Sequence, residues 1–157
     1  MDFSVFSPEQ QMVIRTESGS EQAAMERTYR LLCGGAAGES PVCEMLHAAF
    51  CGCDAAKRTL ALRFTVEDWM QNDKMTLHGG ILATALDTTM GVLVRFCKGG
   101  ERTSTVSLNT NFLRPLPVGA AFIVEAAVEK MGRRIQFVSA HVTADEEVCA
   151  TATATFI

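Results

Sequence analysis

Hydrophobic and polar positions change period twice along the chain. From Thr59 to Val66 they alternate, with Leu60, Leu62, Phe64 and Val66 on one side, which predicts a half-buried strand. Residues 67–76 are polar and loop-like, with Trp69 and Met70 expected as anchors. From Leu77 to Phe96 the period becomes helical. Leu82, Ala85, Leu86, Thr89, Val92, Leu93 and Phe96 recur at three- and four-residue spacing and form one stripe. Lys98-Gly99-Gly100 supplies glycines where a C-cap wants them. Beyond that point the pattern reads as strands: Thr103–Leu113, Ala120–Lys130, Arg134–Ala144 and Glu147–Phe156. The breaks are Arg114-Pro115-Leu116-Pro117 and Met131-Gly132-Arg133, and glycine-containing turns between adjacent runs imply antiparallel hairpins.

One apolar helix among five or six antiparallel strands predicts a two-layer α+β architecture, its sheet curling around the helix to keep the apolar stripe covered. The first third reads differently. Residues 8–32 carry helix formers in two groups around Ser18-Gly19-Ser20, with Ser7-Pro8-Glu9 as a start signal and Gly34-Gly35 and Gly38 as the stop. Ser40-Pro41 starts a further short helix expected to run to about Phe50 and to close at Gly52. Two parts follow: a helical N-terminal extension, 1–56, and a domain of helix and sheet, 57–157.

Composition narrows the class. A chain of 157 residues, 48% apolar and 20% charged, suits one globular domain, and buries roughly 70% of its unfolded surface without needing a metal or disulfide staple. The net charge is −4 and no Lys/Arg run is present, so the basic patch of a nucleic-acid binder is missing. Residues 1–56 hold eight acidic side chains against three basic ones, which argues against a DNA-binding appendage there. No run of about 18 apolar residues indicates a membrane span, and the start MDFSVFSPEQ has neither a basic segment nor a long apolar one. A soluble cytoplasmic protein is the expectation. Its six cysteines, 33, 43, 51, 53, 97 and 149, are then free thiols; Cys51-Gly52-Cys53 lacks the C-x2-C spacing of a zinc site, so no metal is expected.

The candidate chemistry sits in the stretch from Asn72 to Gly91. Gly79-Gly80 at the helix start leaves backbone N–H groups open to close approach, at the positive end of the helix dipole; such donors polarise a carbonyl and stabilise an oxyanion. The alternative is a loop that merely needs flexible backbone. Asp87 lies in an otherwise apolar helix, with Gly80, Ala83, Thr84 and Gly91 as helical neighbours. It therefore occupies a small-residue face away from the apolar stripe, either to meet a ligand or as a solvated acid. His78 and Asp87, nine residues apart, lie about 13–14 Å apart along a helix axis and cannot act on one carbonyl within one chain. Two helices antiparallel across a two-fold axis would bring them together, so a working site is shared between subunits.

Leu77-His78-Gly79-Gly80 with Asp87 at this spacing resembles the hotdog-fold thioesterases of the phenylacetic-acid-degradation (PaaI-like) type. The segment TVSLNTNFLRP, from Thr105 to Pro115, is similar to that family's strand and its Phe-Leu-Arg-Pro turn; the resemblance covers roughly residues 58–157. It implies a hotdog fold and an enzyme that hydrolyses an aryl- or medium-chain acyl-CoA, needing no cofactor beyond the CoA of its substrate. The Gly79 N–H would bind the thioester oxygen, and Asp87 of the other subunit would be nucleophile or general base. Asn72 and Thr105 would help place the attacking water or the thioester, and His78 would orient the loop or act as a cap. Gly80, Phe112, Arg114, Lys130, Gly132, Arg133 and Arg134 would contact the substrate, the cations among them serving the CoA phosphates. A homodimer, and by family expectation a dimer of dimers, would be the assembly. Two other readings stay open: a non-catalytic acyl-CoA sensor, and a hotdog hydratase or dehydratase. The latter is disfavoured because Phe-Pro-Gly after the histidine is replaced here by Gly79-Gly80. His141 is expected to be a sheet-surface residue.

Overall fold

The computed structural model describes residues 21–33 and 40–157. Three helices, α1 (Glu21–Cys33), α2 (Pro41–Met45) and α3 (Gly79–Cys97), accompany six strands. The strands are β1 (Ala49–Asp54), β2 (Thr59–Thr65), β3 (Thr105–Phe112), β4 (Ala121–Met131), β5 (Gln136–Ala144) and β6 (Glu147–Phe156). They form one antiparallel sheet in the order β1-β2-β4-β5-β6-β3. The connection through α3 thus carries the chain from β2, near one end of the sheet, to β3 at the opposite edge.

The expected hotdog arrangement is present: the sheet is wrapped around α3, which touches β2 to β6. The stripe read from sequence is the buried one; Leu82, Ala85, Leu86, Thr89, Val92, Leu93 and Phe96 are all buried. Facing them are the inward positions of the strands: Leu60, Leu62 and Phe64 on β2, Phe122, Val124 and Ala126 on β4, Val138 and Val142 on β5, and the alanines of β6. Those alanines explain the Ala/Thr alternation of the last strand. Small inward residues let the sheet close on the helix while threonines face outward. By length and composition α3 could cross a membrane, yet here it is the core helix.

The N-terminal third departs from the expectation. The helix expected from Ser40-Pro41 to about Phe50 ends earlier, and residues 49–54 are strand β1, which adds to the sheet beside β2 and bulges between Phe50 and Gly52. Helix α2 stops at Met45, and His47 takes a positive φ of 47°, which turns the chain out of the helix and into the strand. The sheet therefore begins inside the segment expected to be wholly helical. Helix α1 packs on β1 and α3 through Met25, Tyr29 and Leu32, and the Tyr29 hydroxyl donates to the Ala48 carbonyl. The helix group expected before Ser18 and the glycine stop at 34–38 lie outside the described residues.

Two smaller expectations are corrected. Met70 is buried but Trp69 is 47% exposed and donates its indole N–H to Glu67, so only the methionine anchors the loop. The six cysteines are not all free: Cys33 and Cys43 form a disulfide that ties the end of α1 to α2. Among the thiols, burial pushes Cys97 up to about 11 and raises Cys53, so neither supplies a thiolate at neutral pH. The grip of the sheet on α3 is measurable. Leu86 is fully buried, so Leu86→Ala should lower stability by about 2–5 kcal/mol; urea unfolding should show a lower midpoint at an unchanged slope.

Candidate active site

Helix α3 carries both candidate groups, and its first turn disposes of its backbone N–H groups in a specific way. His78 is the N-cap, in extended conformation. Its carbonyl accepts from Ile81 (2.9 Å) and Leu82 (3.1 Å). Its ring Nδ1 accepts from the Gly80 N–H at 3.0 Å. Histidine is not among the preferred capping residues. What admits it is Gly80: a side-chain carbon there would meet the His78 ring at 3.1 Å. The two sequence alternatives for His78 thus resolve into a cap. One first-turn donor remains. Among the described residues the Gly79 N–H has no acceptor, and it stands at the positive end of a helix nineteen residues long. Phe112, at the end of β3, lies over Gly79, where a side-chain carbon would meet the ring at 3.2 Å.

Asp87 lies two turns further on, about 12 Å along the axis from Gly79. It is half-buried. Thr105, the first residue of β3, donates its hydroxyl to Asp87 Oδ1 at 2.7 Å. The pairing of Thr105 with Asp87 comes from tertiary structure: eighteen residues separate them, and they meet because β3 runs as the edge strand beside α3.

The two groups open into different cavities. One, of about 390 Å³, is lined by Gly79, Asn72, Lys74, Phe112 and Arg114 among others. The other, of about 450 Å³, is lined by Asp87, Thr105, Thr84 and Thr88 with residues of α1 and α2. A single chain therefore holds the Gly79 N–H and the carboxylate apart, as expected from the similar spacing of His78 and Asp87. Leu32, Cys33, Val42 and Cys43 contribute one wall of this cavity, through the packing of α1 and α2.

The other sequence candidates are distributed as follows. Asn72 folds its own loop. Its Oδ1 accepts from the Lys74 N–H (2.8 Å) and from the N–H and hydroxyl of Thr76 (3.2 Å each), and its Nδ2 lies 3.1 Å from the Thr76 hydroxyl. That loop borders the Gly79 cavity. Arg114 is held by Glu147 at 3.1 Å and by the Val148 carbonyl at 2.7 Å. Lys130, Gly132, Arg133 and Arg134 line neither cavity. Lys130 lies near the end of β4, and Gly132, Arg133 and Arg134 form the β4–β5 turn, closed by the Gly132 N–H to the Ile135 carbonyl (3.0 Å) and braced by the Gln136 amide, which donates to Gly132 O (3.0 Å). A side chain at 132 would strike the Ile135 carbonyl at 2.5 Å, so glycine is required by the turn itself. The register Met131–Gln136–Phe156–Thr105 puts this turn at the Thr105 end of the sheet. His141 is on the outer sheet face as expected, but paired with Glu125 at 2.8 Å, its cross-strand neighbour.

The capping role has a direct consequence. His78→Ala should cost about 1 kcal/mol of stability and His78→Asn, which restores a capping oxygen, should recover most of it; thermal or urea unfolding of the two variants checks this.

Comparison with known proteins agrees with this architecture. A thioesterase superfamily model matches residues 75–151. A Pseudomonas aeruginosa protein assigned as an esterase is 31% identical over 118 residues, covering 74% of this chain and 87% of that protein. A bovine acyl-coenzyme A thioesterase, THEM4, is 34% identical over 91 residues; the match spans 58% of this chain but only 36% of the relative. Among solved structures, a Ralstonia eutropha protein described as a thioesterase related to phenylacetic acid degradation superposes with a TM-score of 0.73 at 29% identity, covering 82% of this chain and 97% of that one. The capped α3, the edge strand β3 and these matches together identify the chain as a member of the thioesterase superfamily, a hotdog-fold thioester hydrolase of the PaaI-like type.

Proposed function

We propose that the protein hydrolyses aryl- or medium-chain acyl-CoA at a site completed by a second copy of the chain. The observation that carries this reading is the unpaired Gly79 N–H lying about 12 Å along α3 from the Asp87–Thr105 pair, in a separate cavity. Two α3 helices antiparallel about a two-fold axis bring the donor of one subunit to the carboxylate of the other, twice per dimer. Exposed Val106, Phe112 and Leu113 on and beside the edge strand β3 suit a surface covered by such a partner.

In this arrangement the thioester oxygen accepts a hydrogen bond from the Gly79 N–H, which stabilises negative charge as it develops. The Thr105 hydroxyl holds Asp87 Oδ1, leaving Oδ2 as the reacting oxygen. Oδ2 either attacks the carbonyl carbon, giving an acyl-enzyme anhydride that water then opens, or removes a proton from a water that attacks. In both routes the C–S bond breaks and CoA leaves as its thiolate. Asn72 acts as a positioning residue for the Lys74–Thr76 loop beside the donor. Lys74 and Arg114 flank the CoA exit from the Gly79 cavity. Lys130, Arg133 and Arg134 reach the CoA phosphates from the partner, because their turn lies at the Thr105 end of the sheet.

Two substitutions separate the components. Asp87→Asn should lower kcat about 10²-fold or more, measured as release of CoA thiol from a panel of phenylacetyl-, benzoyl-, hexanoyl-, decanoyl- and palmitoyl-CoA. Gly79→Pro removes the N–H donor and adds only a ring that the site can accommodate. Proline is accepted at the first helical position, His78 already has the extended ψ of 131° that a following proline demands, and the exposed Phe112 ring can yield to the new carbons. It should cost about 10²–10³-fold in kcat while the far-ultraviolet circular dichroism stays as in the parent. Full turnover in Asp87→Asn would reject Asp87 as the catalytic carboxylate.

A further inference from the structure

One wall of the Asp87 cavity contains a disulfide. Cys33, the last residue of α1, and Cys43, in α2, are bonded to each other, and both line the cavity together with Leu32, Ser40 and Val42. The two helices that the bond joins are held very differently. Helix α1 is anchored without it: Met25, Thr28, Tyr29 and Leu32 are buried, and the Tyr29 hydroxyl donates to the Ala48 carbonyl. Helix α2 has five residues, of which only Cys43 is buried. A helix this short is not stable in isolation. Its start is tied to α1 by the Ser40 N–H, which donates to the Leu32 carbonyl at 3.1 Å, and by the disulfide. Its end is fixed independently. Leu46 is buried, and His47, at a positive φ of 47°, is held by the Glu67 carboxylate, which also accepts the Trp69 indole N–H. Helix α2 is thus hinged at Leu46 and His47 and latched at Cys43.

A bond in this place adds little to the core, which a chain of 157 residues builds without a staple. What it fixes is local: the position of Val42 and Cys43 in a cavity that Thr84, Asp87 and Thr88 also line. Cys33 and Cys43 are only 5% and 2% exposed, and the cavity they line is the route by which a reductant reaches the sulfurs. Resting on the thioesterase reading above, we infer that Cys33–Cys43 is a redox latch on the Asp87 cavity. With the bond intact, α2 is held as a wall and turnover has its full value. Reduction by a dithiol frees α2 to swing about Leu46 and His47. The cavity then opens to bulk water, which weakens the electrostatic interactions around Asp87 and lowers turnover. The reduction balances within the two partners: a thiolate of the dithiol attacks one sulfur, the other leaves and takes a proton, and the second thiol of the dithiol closes its own disulfide as it releases the first. Two electrons and two protons pass to Cys33 and Cys43.

The experiment uses the full chain, wild type and Cys33→Ala/Cys43→Ala, before and after treatment with a phosphine. The phosphine reduces the bond, becomes its oxide with oxygen from water, and spares the thioesters that a free thiol would cleave. Turnover of phenylacetyl-, hexanoyl- and decanoyl-CoA is followed by loss of thioester absorbance, and hydrogen exchange read by mass spectrometry reports on α2. Wild-type kcat/KM should fall about fivefold or more on reduction and return on reoxidation. Residues 42–46 should lose exchange protection while α3 keeps its own. The double variant should behave as the reduced wild type and ignore the phosphine. Unchanged wild-type turnover, with the bond shown open by mass, overturns the inference and leaves the thioesterase reading standing. A bond that stays closed under the phosphine in the folded protein overturns it too, as does a phosphine-induced loss of turnover in the double variant. Turnover of no acyl-CoA in either state would reject the thioesterase reading itself. Exchange then decides the latch alone: loss confined to residues 42–46 upholds it, and unchanged protection overturns it.

Discussion

His78 caps α3 twice, once with its carbonyl and once with its ring, and the rest of the site follows from that. The carbonyl takes the Ile81 and Leu82 N–H groups and Nδ1 takes that of Gly80. A helix start ordinarily leaves several orphan donors. Here the cap reduces them to the Gly79 N–H, next to the floor of a cavity. Had the ring pointed away, the Gly80 donor would also be open and two N–H groups would compete for one oxygen. At Gly80 an added side-chain carbon would meet the His78 ring that caps the helix, and at Gly79 it would meet the exposed Phe112 ring, which can move aside. The two adjacent glycines thus answer two different neighbours.

The same helix must serve two surfaces. Its apolar stripe is held by five strands, which fixes its axis and rotation. Its opposite face of Gly80, Ala83, Thr84, Asp87 and Gly91 is left to meet β3, the N-terminal helices and, in the proposed assembly, a second copy. A carboxylate on that face is tolerable because the Thr105 hydroxyl satisfies one oxygen without neutralising the charge. The placement of β3 at the sheet edge, reached only by passing over α3, is therefore what brings Thr105 to Asp87. It is also what leaves Phe112 and Leu113 exposed.

Much of this was legible in the sequence, for physical reasons that can be named. The period-two run of β2 and the period-3.6 stripe of α3 reflect which face is buried, and burial imposes them strongly. Asp87 stood out because a charge in an apolar helix needs a reason. Strand β1 was not legible. Its sequence Ala49-Phe50-Cys51-Gly52-Cys53-Asp54 has no β-branched residue, and a bulge interrupts its alternation, so its pairing with β2 decides its conformation. The Cys33–Cys43 bond depends on α1 and α2 approaching each other, which spacing alone does not reveal. The sequence leaves His78 open to either reading, because only the fold brings its ring over the Gly80 N–H.

The central claim is that each site joins Gly79 of one subunit to Asp87 of another, and subunit mixing tests it most directly. Gly79→Pro and Asp87→Asn homodimers would each be inactive. Unfolded together and refolded at equal amounts, half of the dimers are mixed, and each mixed dimer regains one intact site. The shared arrangement expects about a quarter of wild-type activity to return. No return of activity, with mixed dimers demonstrated by differential tagging, would contradict a site shared between subunits.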